Sequence, residues 1–148
     1  HSLPPALSDR PSMRLRMLWL LVAATLISGA WFLFEASWDR QLFGSESGKL
    51  CKNLSAREAR AWLEANPETQ VLDVRSAREF RRGALLNAQN ISLSDPEFAA
   101  KVAKLDLEKP VLVYCAGGYR SRKAVKKLKE LHFTNIQHLH RGYLSWRE

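Results

Sequence analysis

Val111-Leu112-Val113-Tyr114-Cys115-Ala116-Gly117-Gly118-Tyr119-Arg120-Ser121-Arg122-Lys123 reads as strand, loop and helix in immediate succession. Residues 111–114 form a short apolar, β-rich run after Pro110, the pattern of a buried strand. Residues 115–120 make a tight loop with two adjacent glycines. From Ser121, read as the N-cap, Ala124, Val125, Leu128 and Leu131 form the apolar stripe of a helix. A strand that hands a cysteine to a loop at a helix N-terminus builds an anion site, because free backbone N–H groups and the helix dipole converge there. Gly117 and Gly118 let the backbone bend closely around whatever the sulfur holds. Arg120, Arg122 and Lys123 stand where cations oppose the dipole, which suits an anion bound in the loop. The plainer reading is a buried structural cysteine beside a solvated basic helix face. Glycines, helix start and arginine together favour the functional one.

The flanking sequence alternates strands with helices. Residues 49–54 suit a short edge strand, and Ser55-Ala56-Arg57-Glu58 is a capping box that opens a helix to about Ala65, stopped by Asn66-Pro67. Residues 70–74 read as a buried strand. A second capping box, Ser76-Ala77-Arg78-Glu79, starts a short helix that ends at Gly83. A strand is expected over 88–93. A helix should follow from Asp95-Pro96 to Leu105, with proline at its first position. The final strand falls at 135–139, and a short helix from about Tyr143 closes the chain. This order predicts an α/β fold, a parallel sheet with helices on both faces, in which ligands sit at the carboxyl ends of the strands. Cys115 lies at such an end.

Cys115 to Ser121 resembles the active-site loop of rhodanese-like sulfurtransferases. The resemblance extends to Val71-Leu72-Asp73-Val74-Arg75, Glu79-Phe80, Gly83, Asn90-Ile91 and Gly142-Tyr143-Leu144-Ser145-Trp146, so it covers residues 50–148. It implies a rhodanese-like sheet and two-step nucleophilic catalysis. Cys115 would take sulfur from a small anionic donor, with thiosulfate as the example. It would hold that sulfur as a persulfide in the loop Ala116, Gly117, Gly118, Tyr119, Arg120 and Ser121. A thiol or cyanide would then accept it. Arg120 would orient the loop and help neutralise the donor, while Arg122 and Lys123 would attract it. The resemblance gives Asp73 and Arg75 a supporting ion-pair role and calls for no cofactor. The chain departs from the family pattern at Ala84-Leu85-Leu86-Asn87 after Gly83, and at Arg141 before Gly142. Two rivals accompany this reading: a phosphatase or arsenate reductase on the same fold, and a binding module that carries sulfur or does no chemistry.

Ahead of the domain, residues 17–34 are 18 uncharged residues, the lower edge for a membrane-spanning helix. Trp19, Trp31 and Trp38 suit interfacial anchors. Arg10, Arg14 and Arg16 precede the run and Glu35 and Asp39 follow it, which places the C-terminal domain outside the cytoplasm, on the periplasmic side. The expected organisation is a disordered tail over 1–12, a transmembrane anchor over 13–35, a polar linker over 36–48 and the domain over 49–148. The alternative is a signal peptide starting at Met13 and cleaved after Ser28-Gly29-Ala30, which would export a soluble domain. Cleavage there would leave Trp31-Phe32-Leu33-Phe34 at a new, apolar end.

The formal net charge is +8, and from Lys49 onward 19 Lys and Arg face 11 Asp and Glu, so the excess lies in the domain. No basic stripe interleaved with aromatics and no nucleic-acid motif appears, so the charge reads as attraction for small anions. Cys51 has no partner motif, and His132, His138 and His140 lack ligand spacing with a cysteine, so no metal site is expected.

Overall fold

The computed structural model of the protein describes residues 12–46 and 49–147. The chain divides into two compact units, His1–Trp38 and Asp39–Glu148. The tail expected over 1–12 lies outside the described residues except for Ser12, whose Oγ accepts the Leu15 N–H at 3.3 Å and so caps the first helix.

That helix, α1 (Met13–Leu42), has 30 residues, about 45 Å at the usual rise. Among the described residues it is the one helix long and apolar enough to cross a membrane. In the first unit its residues 17–34 are all exposed, with ring contacts between Trp31 and Phe34 and between Phe34 and Trp38. The helix runs through 36–42, a stretch read from sequence as linker. No glycine or proline falls within 36–43 to stop it before Gly44.

The second unit holds a six-stranded sheet in the order β1-β2-β6-β5-β3-β4, made of β1 (Gly44–Glu46), β2 (Lys49–Leu54), β3 (Gln70–Asp73), β4 (Gln89–Asn90), β5 (Val111–Tyr114) and β6 (Asn135–Leu139). Five strands are parallel, and β1 pairs antiparallel with β2. The edge strand expected at 49–54 is therefore an inner strand, covered by β1 with Gly44 opposite Cys51. All four residues of β5 are fully buried, as the uninterrupted apolar run requires. Leu112 and Tyr114 join Leu54, Ala59, Val71, Leu85 and Leu139 in one cluster, against which Trp62, Leu63, Tyr143 and Trp146 pack from α2 (Ala56–Ala65) and α6 (Gly142–Trp146). Val111 and Val113 point the other way, because side chains alternate along a strand. On that face lies α5 (Tyr119–Glu130), which buries Ala124, Val125 and Leu128. The α/β sheet with helices on both faces follows the sequence expectation.

Both capping boxes form. Ser55 and Ser76 accept the N–H of Glu58 and Glu79, and each glutamate reaches back to the serine N–H at 2.7 and 3.0 Å. Three local expectations change. The helix after Asp95-Pro96 shrinks to α4 (Phe98–Val102), because Asp95 first closes a turn: its Oδ1 takes the Glu97 N–H and its carbonyl the Phe98 N–H. The strand expected over 88–93 pairs only at Gln89–Asn90. Ser121 is not the N-cap of α5. Gly118, at φ +104°, occupies that position, so Tyr119 and Arg120 are already helical and the Ser121 hydroxyl is free for other partners.

Candidate active site

Parallel β5 ends at Tyr114, and the next residue is Cys115, 1 % exposed. The left-handed backbone of Gly118 turns the chain into α5 within three residues. A Cβ on Gly118 would run into the His140 carbonyl, so the turn also needs glycine for space. The Gly118 N–H donates to Cys115 Sγ at 3.0 Å. Tyr119, Arg120 and Ser121 are the first residues of a 12-residue helix, so their N–H groups face out of its N-terminal end. Sulfur, N–H donors and dipole therefore meet in one small cradle.

The loop is held from two further sides. The Cys115 and Ala116 carbonyls accept the Tyr143 and Leu144 N–H groups of α6 at 2.8 and 3.1 Å. Gly142, at φ +61°, lets α6 approach, since a Cβ there would meet both carbonyls. From the other side comes α3 (Ala77–Arg81), entered through the Ser76 cap. Arg120 forks onto Glu79 with bonds of 2.8 and 2.7 Å, while Ser76 Oγ sits 2.8 Å from the same carboxylate. The Arg120 guanidinium, with help from Ser76, pulls the Glu79 carboxyl down to about 2. Arg120 thus fastens the loop to α3, and Glu79 already balances its charge. The sequence expectation that it neutralises a donor changes accordingly.

Asp73 and Arg75 pair beneath the loop, 0 % and 4 % exposed, with the Arg75 Nη2 to Asp73 Oδ2 distance at 2.7 Å. Arg75 Nη2 also donates to the Gly83 carbonyl at 2.6 Å, and the guanidinium lies 4.3 Å from the Tyr143 ring centre. The pair ties β3, the α3 exit and α6 together. Lys123 is exposed on α5, its Nζ 4.7 Å from the Tyr119 ring centre. Arg122, expected to attract a donor from the surface, is instead buried. Its Nε and Nη2 bind Asp39 at 2.6 and 3.0 Å, and its Nη1 binds the Gly118 carbonyl at 3.1 Å. Helical spacing puts residue 122 on the inner side of α5, opposite exposed Lys123.

Sequence reasoning overlooked what lies behind Ser121. Its Oγ is 3.4 Å from Cys115 Sγ, 3.2 Å from the Gly118 carbonyl and 2.6 Å from His138 Nε2. His138 Nδ1 meets Asn53 Oδ1 at 2.7 Å, and Phe43 stacks on the imidazole at 5.3 Å. Burial, then the nearby Arg122 and His140, push the His138 imidazole down to about 3, so it is neutral at physiological pH. No local motif marks Asn53, His138 or Asp39, because they come from β2, β6 and the end of α1. Cys51 is free, buried on β2 and raised to about 11 by burial.

Comparison with known proteins agrees with this geometry. The family model described as Rhodanese-like domain matches residues 55–148. An uncharacterized protein of Bacillus subtilis, YqhL, is 33 % identical over 98 residues, 66 % of this chain and 74 % of the relative. The thiosulfate sulfurtransferase GlpE of Shewanella oneidensis is 29 % identical over 97 residues, 66 % of this chain and 93 % of the relative. The crystal structure of a rhodanese-related protein from Thermoplasma volcanium superposes with a TM-score of 0.57 at 31 % identity, covering 65 % of this chain and 90 % of that one. Other relatives are longer: the chain covers 24 % of the probable adenylyltransferase/sulfurtransferase MoeZ of Mycobacterium tuberculosis.

Proposed function

The chain belongs to the rhodanese-like domain family, and from that premise we propose that it is a sulfurtransferase working through a persulfide on Cys115. The observation that carries this reading is the Cys115 sulfur, set against the Gly118 N–H at the start of α5. In the first step the Cys115 thiolate attacks the outer sulfur of an anionic donor such as thiosulfate. A sulfur–sulfur bond forms to Cys115, the donor's own sulfur–sulfur bond breaks, and sulfite leaves with the electron pair. In the second step a thiol or cyanide attacks the outer persulfide sulfur and returns the thiolate. Loop N–H groups, already oriented, stabilise the charge on the bound sulfur. Arg120 keeps the loop closed through Glu79, and Lys123 supplies an exposed positive charge. The relative named as a thiosulfate sulfurtransferase supports the choice of donor.

Loop size argues against the phosphatase alternative. Four residues separate Cys115 from Arg120, and with both ends anchored the cradle fits a single sulfur atom better than a tetrahedral oxyanion. Incubation of the full chain with thiosulfate should add one sulfur by intact mass, and Cys115→Ser should add none. Aryl phosphates should remain intact, and one glycine inserted after Gly118 should depress transfer. Hydrolysis of a phosphate ester dependent on Cys115, without sulfur uptake, overturns the assignment.

We further propose that α1 anchors the domain in a membrane, with the second unit outside the cytoplasm, a reading supported by the exposed apolar face of residues 17–34 and the preceding arginines. A C-terminal reporter active only in the cytoplasm should stay silent, and a bright signal refutes the orientation. Release of the domain from membranes in a shortened form would instead favour a cleaved signal sequence.

A further inference from the structure

We propose that Asn53 and His138 fix the direction of the Ser121 hydroxyl, so that Ser121 presents a lone pair, not a proton, to Cys115. The inference rests on Cys115 as the reactive sulfur and makes His138 and Asn53 positioning residues behind it.

The Arg122 guanidinium can only donate, and its Nη2 lies 3.2 Å from His140 Nδ1, so that nitrogen accepts. The Asp39 carboxylate also accepts, and Arg122 holds it in place. Asn53 faces both: its amide nitrogen is 2.8 Å from His140 Nδ1 and 3.3 Å from Asp39 Oδ2. A flipped amide would aim its oxygen at two acceptors, so the NH2 group belongs where it stands. Asn53 Oδ1 must then point at His138 Nδ1, 2.7 Å away, and Nδ1 must carry the hydrogen. The imidazole is neutral, so Nε2 is bare and accepts. The one group in position to donate to Nε2 is the Ser121 hydroxyl at 2.6 Å. A serine has a single proton. The Gly118 carbonyl at 3.2 Å and Cys115 Sγ at 3.4 Å are the other acceptors within reach of that proton, and the 2.6 Å contact to Nε2 is the shortest; with the proton given to His138, Ser121 turns lone pairs toward Cys115 Sγ.

The consequence is chemical. Ser121 stabilises the protonated thiol, whose S–H it can accept, and gives nothing to a thiolate or persulfide anion. Those anions depend on the loop N–H groups, led by that of Gly118. The chain of contacts from Asp39 to His138 therefore directs the Ser121 proton away from the Cys115 sulfur.

Alkylation of Cys115 by iodoacetamide in the full detergent-solubilised chain, followed by peptide mass, tests the direction without any sulfur donor. Ser121→Ala should speed alkylation at neutral pH about fivefold, one ordinary hydrogen bond's worth, and move the rate profile to lower pH. His138→Leu should speed it by a similar factor by freeing the hydroxyl to serve the thiolate, and His138→Leu with Ser121→Ala should match Ser121→Ala alone, since His138 acts only through the hydroxyl. Slower alkylation in Ser121→Ala, the signature of a serine that donates, overturns the proposal. A second measurement needs no variant: nitrogen-15 imidazole shifts of the unaltered chain should report the Nδ1–H form of His138, and the Nε2–H form overturns it. Loss of sulfur uptake with alkylation as expected would count against the transferase reading alone.

Discussion

Asp39 and Arg122 form a two-pronged ion pair, 2.6 Å between Nε and Oδ1 and 3.0 Å between Nη2 and Oδ2, that fastens the last turn of α1 to the first turn of α5. Arg122 is 3 % exposed and Asp39 22 %, so the arginine charge is out of water and its partner is not optional. Removing one member of such a pair strands the other. Asp39→Ala should lower stability by about 3 kcal/mol in denaturant titration. A change indistinguishable from zero would show that solvent reaches Arg122 readily.

Two groups set the response to acid. Glu79 is depressed from 4.5 to about 2 by Arg120 and Ser76, so its contribution is complete above 4.5 and is lost as pH falls toward 2. His138 is depressed from 6.5 to about 3, chiefly by burial; between those values the unfolded chain binds a proton that the folded chain refuses. Stability should therefore decline as pH falls from about 6.5, first through His138 and then through Glu79. Glu79→Gln should flatten the lower part of the curve and His138→Leu the upper part, as read by thermal melts across pH.

Gly142→Ala should cost about 2–3 kcal/mol, since φ is +61° and the new methyl meets the Cys115 and Ala116 carbonyls. Those carbonyls anchor the loop to α6, so sulfur uptake should fall at temperatures where the variant is still folded by circular dichroism. Full uptake in a folded variant would show that the loop tolerates the shift.

Cys51→Ala should leave sulfur uptake within about twofold of the parent and cost about 1 kcal/mol, the price of a small buried cavity. Burial raises that thiol to about 11, and among the described residues both cysteines are free. Uptake lost in this variant, or a reducible bond to Cys115, would assign Cys51 a role in the chemistry.

Local chemistry made much of the molecule legible in the sequence. The run 111–114, the two capping boxes and the strand at 135–139 rest on short-range preferences, and each forms where expected. The cysteine at a helix start was legible for the same reason. Boundaries that depend on competition were not. Gly118 outbid Ser121 for the cap by adopting a positive φ, and Asp95 spent the first turn of α4 on itself. The partners of the loop lay further still beyond reach. Arg120 could have faced a ligand or Glu79, and Arg122 could have faced solvent or Asp39. A sequence displays the charge of an arginine but not the carboxylate brought to it from 41 or 83 residues away. By itself the sequence determined the α/β order, the cysteine loop at a helix start and the apolar helix ahead of them, because periodicity and turn chemistry are local. Only the tertiary structure decided which cations are spent on holding the loop, and that a neutral histidine stands behind its serine, because those pairings form when strands distant in sequence become neighbours in the sheet.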